Sequence, residues 1–207
     1  MADEPLIVPA RTAVLALHWQ VNVIRPEGFF GGMLAEPVRA SGVVERAARF
    51  HDDARAAGLP VVFTRFTVPE GGGALVRNTA FMSAVADSQE SFRPDAPGSA
   101  LIPEMAALGD RDEVCDNQRL SGLAATDLPD RLRARSIDTL LITGVATNLT
   151  VEQTARGASD LGFTVHVVAD CVAAGDPAVH EVSLTNLDLT TAGRTTAAQA
   201  LEGLASA

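Results

Sequence analysis

The sequence predicts an α/β fold in which a mainly parallel sheet is covered by helices on both faces, giving three α/β/α layers. Three observations support this prediction. Short apolar runs recur along the 207-residue chain, which is typical of strands buried on both faces. Helical patterns lie between these runs, so strands and helices alternate. Hydrophobic residues make up 47% of the chain and charged residues 20%, a normal balance for a folded globular protein.

The predicted strands are short runs bounded by polar residues or by glycine and proline, which interrupt regular structure. Four are strong: TAVLALHW at 12–19, PVVFTRF at 60–66, DTLLITGV at 138–145 and FTVHVVAD at 163–170. A weaker strand, DEVC, is predicted at 112–115.

The predicted helices fill the intervals between strands, at 41–57, from 127 onward, at 150–161, at 177–187 and at 195–204. Local signals set their bounds. Asp127 is the expected N-cap of the second helix, with Pro129 just inside it. Gly58 and Gly162 are expected to end the first and third helices. The glycine-rich segments 25–33 and 67–82 are predicted to be flexible apolar loops, either plain surface loops or lids over a cleft.

Composition narrows the possible partners and location. The length predicts a single domain spanning residues 1–207. A formal net charge of -10, a pI near 4.7 and the lack of a basic run argue against nucleic acid and membrane partners. No signal peptide is apparent, and the longest apolar run, 13–17, is too short to span a bilayer. Two separated cysteines, Cys115 and Cys171, suit a reducing compartment, so a cytoplasmic location is expected.

Candidate site residues follow from the strand ends, because ligands of parallel α/β sheets bind outside the carboxyl ends of the strands. The first strand ends at His18, Trp19 and Gln20, and the second at Arg65 and Phe66. Asn117 follows the weak strand, and the segment 144–150 follows the third strong strand. We expect these four strand ends to surround one cleft.

A family resemblance supports the same cleft. The stretch SIDTLLITGVATNLTVEQTARGASDLGFTVHVVADCVAA, at 136–174, is similar to a strand, turn and helix of the isochorismatase-like hydrolase superfamily, which includes cysteine amidohydrolases of the nicotinamidase type. The segments 97–105, 121–140 and 176–187 also resemble that family. The match runs from about residue 12 to the C-terminus and is most specific over 121–174.

The resemblance implies that the family's catalytic residues are replaced. The family aspartate falls at His18, its lysine at Asn117 and its nucleophilic cysteine at Thr150; Asp116 and Gln118 are alternatives for the lysine position. A threonine hydroxyl has a much higher pKa than a thiol, so cysteine-type amide hydrolysis is not expected. The resemblance also implies a cis peptide between Val145 and Ala146, with the Ala146 and Thr150 amides forming an anion-binding turn.

Each polar candidate has a catalytic and a structural interpretation. His18 is either a general acid or base or a buried histidine satisfied by the backbone. Asn117 either donates a hydrogen bond to a ligand or serves a turn, and Thr150 lines the pocket or caps its helix.

The binding candidates are mainly apolar. Trp19 either forms an aromatic wall or packs in the core, and Gln20 lines the cleft or caps the strand edge. Phe30 and Phe66 are expected to form an apolar wall. Arg65 and Arg119, together with Arg77, are the candidates for binding an anionic group.

The leading hypothesis is an enzyme that performs hydrolysis, elimination, isomerisation or cyclisation on a small apolar or cyclic molecule, a role that fits specialised metabolism. The alternative is an inactive family member that binds a ligand or a partner subunit. No cofactor or metal is predicted, because neither a metal-binding histidine or cysteine cluster nor a nucleotide-binding glycine motif is present. A homo-oligomer is expected, with the apolar segments 29–34 and 79–85 near the subunit contact.

Overall fold

The computed structural model describes residues 7–205 and contains a six-stranded sheet in which all neighbouring strands are parallel. The strands are β1 (Thr12–Leu17), β2 (Val61–Phe66), β3 (Glu113–Asn117), β4 (Thr139–Val145), β5 (Thr164–Ala173) and β6 (Arg194–Thr195). Their order in the sheet is β3-β2-β1-β4-β5-β6. The chain therefore proceeds outward from β1 to one edge and then returns to β4. The crevice between the carboxyl ends of β1 and β4 is where such sheets bind ligands.

Helices cover both faces of this sheet. They are α1 (Val21–Ile24), α2 (Gly31–Ser41), α3 (Val43–Ala56), α4 (Ala80–Asp87), α5 (Leu128–Ala134), α6 (Glu152–Asp160), α7 (Pro177–Thr190) and α8 (Ala197–Ala205). Buried side chains of α2, α3 and α8 pack on one face, and those of α5, α6 and α7 pack on the other. The predicted three-layer α/β/α fold is confirmed.

The central strand shows why the sheet is buried on both sides. All six residues of β1 are buried. Val14 and Ala16 join the core under α3, whereas Ala13, Leu15 and Leu17 join the core under α6. Burying one such leucine stabilises the fold by about 1.5–3 kcal/mol. A continuous apolar run, rather than an alternating one, is what this double burial requires.

Four segments differ from the sequence-based expectations. The segments 25–33 and 67–82 are not loops throughout, because α2 begins at Gly31 and α4 begins at Ala80. The strand predicted at 163–170 continues to Ala173 across a register irregularity opposite β4. The short edge strand β6 was not predicted, because two residues carry too little pattern to be read.

The turn after β4 has an unusual backbone. The peptide bond between Val145 and Ala146 is cis, as the family resemblance implied. A π-helical turn, Thr147–Val151, follows and leads directly into α6. This turn and the end of β1 are the two walls of the crevice at the centre of the sheet.

Among residues 7–205, no helix has the length and apolar character needed to cross a membrane.

Candidate active site

A cavity lies at the carboxyl ends of β1, β2 and β4, beneath α2 and α4. Its volume is about 40 Å³. Side chains that line it include six of the residues selected from the sequence: His18, Gln20, Phe30, Phe66, Ala146 and Thr150. None of the described residues lining this cavity carries a formal charge at neutral pH. The lining of the cavity is therefore uncharged and mostly apolar.

Three other candidate binding residues do not line this cavity. Trp19 is fully buried, and its Nε1 donates to Thr143 Oγ1 at 3.3 Å within the core under α3. Arg65 forms a two-point ion pair with Asp116, at 2.8 and 3.0 Å. The backbone carbonyl of Arg119 accepts a hydrogen bond from Asn117 Nδ2, whereas its side chain does not line the cavity.

His18 is held in an uncommon backbone conformation at the end of β1. Its φ angle is 54°, in the left-handed region, which is unfavourable for a residue with a Cβ atom. Such a conformation costs roughly 1–3 kcal/mol and persists where the surrounding structure enforces it, frequently at functional sites. The side chain is only 5% exposed and lines the cavity. The fold thus directs an imidazole into the crevice at the expense of local stability.

Asn117 determines which nitrogen of the His18 ring carries the proton. Its Nδ2 donates to the carbonyl oxygens of Arg119 and Ser121, at 2.6 and 3.3 Å. Its Oδ1 therefore faces His18 Nε2, at 3.0 Å. Since an amide oxygen only accepts hydrogen bonds, Nε2 carries the proton and Nδ1 keeps a free lone pair. The donors of the Asn117 side chain are therefore occupied. Asn117 does not line the cavity.

The His18 ring is neutral at physiological pH. Burial lowers the pKa of His18 to about 4, although the hydrogen bond with Asn117 partly opposes this shift. Desolvation favours the uncharged form of a histidine, and no carboxylate is in contact to reverse this preference. His18 is therefore a neutral imidazole that offers a hydrogen-bond acceptor at Nδ1.

Thr150 is placed on the opposite wall of the crevice. It is 3% exposed, and its Oγ1 has no hydrogen-bond partner. The residue lies inside the π-helical turn rather than at its start, where Ala146 is the N-cap. Its hydroxyl therefore does not cap the helix. A buried hydroxyl without a partner is costly, and one that lines a cavity is available to a ligand.

Two buried amides hold the walls together. Gln20 Nε2 donates to the carbonyl oxygens of Phe66 and Ser99, each at 3.0 Å, and Gln20 Oε1 accepts from the Phe66 amide at 2.6 Å. Asn22, which sequence reasoning missed, donates from Nδ2 to Ser91 O at 2.8 Å. Its only signal was a polar residue within the otherwise mostly apolar run QVNVI at 20–24.

Aromatic rings form the remaining wall. Phe66 meets the His18 ring edge-on, with 6.1 Å between ring centroids, and Phe92 meets Phe66 edge-on at 5.5 Å. Phe30 lies 6.1 Å from Phe92. Phe92 was not selected from the sequence, because it comes from the long connection between β2 and β3. Together these rings form a continuous apolar path that ends at the histidine.

Comparison with known proteins identifies the family. The isochorismatase domain model matches residues 12–199. The chain belongs to the isochorismatase-like hydrolase family. Its relatives include the isochorismatase family protein YecD of Escherichia coli, 31% identical over 186 residues, covering 85% of this chain and 87% of YecD. The ureidoacrylate amidohydrolase RutB of Methylorubrum extorquens is 35% identical over 202 residues, covering 89% of this chain and 79% of RutB.

A solved structure supports the same assignment. The cysteine hydrolase from Pseudomonas syringae pv. phaseolicola superposes with a TM-score of 0.83 at 25% identity. The match covers 100% of this chain and 99% of that protein. The family resemblance drawn from residues 121–174 is thereby confirmed.

The described lining of the cavity contains neither a thiol nor an amine. Neither cysteine of the chain lines the cavity; both are buried, and burial raises the pKa of Cys171 to about 12. The sequence contains 16 arginines and no lysine. Within residues 7–205, no group of three or more histidines, cysteines and carboxylates is placed to hold a metal ion. The polar side chains that line the cavity are those of His18, Gln20, Asn22 and Thr150.

Proposed function

We propose that this protein is an acid/base enzyme that acts without a cysteine nucleophile on a small, uncharged, largely apolar or cyclic molecule. The observation that carries the proposal is the neutral His18 ring. It is forced into the cavity by a left-handed backbone and fixed in one tautomer by Asn117. Hydrolysis, elimination, isomerisation and cyclisation each need such a group.

His18 Nδ1 would act as the general base. In hydrolysis, Nδ1 takes a proton from a water molecule while the water oxygen bonds to the carbonyl carbon. The resulting imidazolium then returns this proton to the leaving group as the carbon–leaving-group bond breaks. Asn117 Oδ1 stabilises the transient imidazolium by accepting the hydrogen bond from Nε2. A positioned base of this kind contributes about 10²–10⁴-fold in rate.

The opposite wall would stabilise negative charge. In this proposal the Thr150 hydroxyl and the amides of Ala146 and Thr150 donate to the oxygen that becomes negative in the reaction. The unpartnered Thr150 Oγ1 supports this role, because a substrate oxygen would satisfy it. Donors aimed at a developing oxyanion are frequently the largest single contribution to catalysis.

The lining supports an uncharged substrate. Neither Arg65 nor Arg119 lines the cavity, so no cation there would compensate a buried carboxylate. Moving an unpaired ion into such surroundings is strongly unfavourable. The substrate would therefore be uncharged. The four phenylalanines of the lining favour a molecule with a ring or an apolar chain.

A second candidate function is ligand binding without catalysis. It is favoured by the occupied donors of Asn117 and by the absence of a strong nucleophile from the described cavity lining. In this alternative, His18 Nδ1 and Thr150 Oγ1 hold a small uncharged ligand by hydrogen bonds. The two functions predict different results for the same substitution.

The test uses neutral carbonyl compounds of graded reactivity: phenyl acetate, δ-valerolactone and benzamide. His18→Asn removes the base but keeps a residue type that accepts the left-handed backbone. We expect this variant to lower kcat/KM by about 10²-fold or more for any compound that the native protein converts. His166→Asn, which changes a histidine remote from the cavity on β5, is the matched control and should retain activity.

The outcome separates the two functions. Hydrolysis that is equal in the native protein and in His18→Asn would overturn the acid/base proposal. Saturable binding of these compounds in calorimetry, with no turnover of any of them, would favour the ligand-binding alternative.

A further inference from the structure

The rim of the cavity is built from side chains that line it and also reach solvent. Five lining residues meet both conditions: Phe30, Met33, Phe81, Leu120 and Leu149. All five are apolar. The remaining lining residues are buried, so the route from solvent to His18 passes between these five side chains.

Two of the rim residues close directly on each other. The rings of Phe30 and Phe81 are stacked with nearly parallel planes, with ring centroids 5.4 Å apart and an interplanar angle of 5°. They come from different parts of the chain, the segment before α2 and the first turn of α4. A stacked pair of rings adds only weakly to stability beyond the area that it buries, so the pair can open readily.

The Phe30 side of the pair is firmly anchored. The Phe30 amide donates to the backbone carbonyl of Asn22 at 2.8 Å, and the Phe29 amide donates to Asn22 Oδ1 at 3.2 Å. Gly28 packs so closely that a Cβ atom there would lie 2.2 Å from the carbonyl oxygen of Val21. Phe30 also contacts the ring of Phe92. This half of the pair is part of the rigid wall.

The Phe81 side is attached less firmly. Phe81 follows an exposed or half-exposed segment, 70–80, that contains three successive glycines with positive φ angles, Gly71, Gly72 and Gly73. Nothing packs around the first two of these glycines. Behind Phe81, α4 is fastened through the buried side chains of Met82 and Val85. Because Phe81 is half-exposed and precedes these anchors, its ring can move with the first turn of α4, and the glycine segment before it can adjust, without disturbing the sheet.

We propose that the stacked rings of Phe30 and Phe81 are the entrance to the cavity and set the upper size of the molecules that reach His18, with Phe81 as the moving half. Shortening Phe81 would leave Phe30 in place and widen the entrance. The size limit holds whether or not His18 is catalytic, so it is tested without a substrate.

The experiment introduces a thiol inside the cavity by Thr150→Cys and measures its modification by two reagents of equal chemistry but different size. Methyl and benzyl methanethiosulfonate both form a mixed disulfide with the thiolate and release methanesulfinate. Mass spectrometry of peptides distinguishes the introduced thiol from Cys115 and Cys171. If Thr150→Cys does not fold, as judged by circular dichroism, the thiol is placed at another buried lining position by Val145→Cys.

The measured quantity is the rate with the benzyl reagent divided by the rate with the methyl reagent. Adding Phe81→Ala should raise this ratio by about tenfold, equivalent to a barrier lowered by about 1.4 kcal/mol. Phe81→Tyr, which keeps a ring able to stack, should leave the ratio near its original value. Phe163→Ala, which removes a ring from the core under α5 and α6, is the control for general loosening.

Two results would overturn the proposal. The first is a ratio that Phe81→Ala leaves unchanged. The second is a ratio that Phe163→Ala raises as much as Phe81→Ala does, since the limit would then reflect the opening of the whole molecule.

Discussion

At the scale of single residues, the site depends on a pair that is neither charged nor strongly basic. Asn117 orients His18 as a carboxylate would, but it supplies no negative charge to hold a proton on the ring. The imidazole therefore stays neutral far below its ordinary pKa. The His18 ring is therefore suited to accept a proton transiently during a reaction, and it does not remain protonated afterwards.

The substitution Asn117→Asp tests this electrostatic interpretation. A carboxylate facing Nε2 stabilises the imidazolium, so we expect the pKa of His18 to rise from about 4. A base works when unprotonated, so activity should fall as the pH decreases through this pKa. The acidic limb of the pH–rate profile should thus move to higher pH in the variant. Titration of the imidazole ¹⁵N signals would measure the pKa directly; an unchanged or lower value would contradict the assignment.

The candidate site could be predicted in part from the sequence. His18, Gln20, Phe66 and the turn after β4 follow from the rule that parallel strands bind ligands at their carboxyl ends. The rule fails for Trp19 because successive residues at a strand end point to different sides, and one of them enters the core. It also fails for Arg65, because an adjacent strand provides Asp116 as a partner that only the sheet register reveals.

At the scale of elements, two of the buried threonines in β4 and the turn that follows it, Thr143 and Thr150, have opposite roles. Thr143 Oγ1 is hydrogen-bonded to Trp19 Nε1 at 3.3 Å and to His51 Nε2 at 2.9 Å, joining β4 to β1 and α3. Thr150 Oγ1 has no partner. One hydroxyl joins three elements of the fold, and the other is unpartnered in a residue that lines the cavity.

Replacing each threonine with the isosteric valine should separate these roles. Thr143→Val leaves two buried polar groups unpaired, so we expect the free energy of unfolding to fall by about 1–3 kcal/mol or more. Thr150→Val removes an unpartnered hydroxyl and should leave that free energy unchanged or raise it. Urea denaturation of both variants measures the difference. An equal loss in the two would mean that Thr150 has a structural partner.

The sequence predicts the strands and the helices that pack on the sheet better than the elements around the entrance. The buried runs of β1 and β4 are long and unbroken, so their pattern is clear. The pattern of α2 is obscured by Pro37 and by the glycines at its start. For α4, eight residues after a glycine-rich segment give little periodicity. Both elements form over the aromatic rings, through contacts between distant parts of the chain that local pattern does not encode.

At the scale of the whole molecule, two of the surface regions that expose apolar side chains bear on assembly. Val179, Val182 and Leu189 on α7 are 41%, 62% and 83% exposed. With Asn186 between them, they follow the 3–4–3 spacing of a helix–helix seam. Near the entrance, Met33 is 55% exposed. Of these two patches, α7 matches the pattern by which two copies of a helix pair.

We therefore expect the protein to form at least a dimer, with two copies of α7 in contact. Light scattering at micromolar concentration should give a mass of two chains or more. Val182→Glu should reduce it to one chain, because the seam would then bury an unpaired carboxylate. Met33→Glu is the matched variant on the other patch. If Met33→Glu dissociates the protein and Val182→Glu does not, the contact lies at the entrance, as the sequence had suggested; a native mass of one chain would refute both.

The burial of Trp19 has an optical consequence. The chain has one tryptophan and no tyrosine, so its intrinsic fluorescence comes almost wholly from this indole. The indole ring is shielded from water, donates a hydrogen bond to Thr143 and lies edge-on to the ring of His51, with 6.2 Å between ring centroids. Trp19 directly follows His18 in the sequence. Its emission should be blue-shifted in the native state and move to longer wavelength when water reaches the tip of β1. The protein thus contains its own unlabelled spectroscopic reporter, one peptide bond away from the residue whose role is in question.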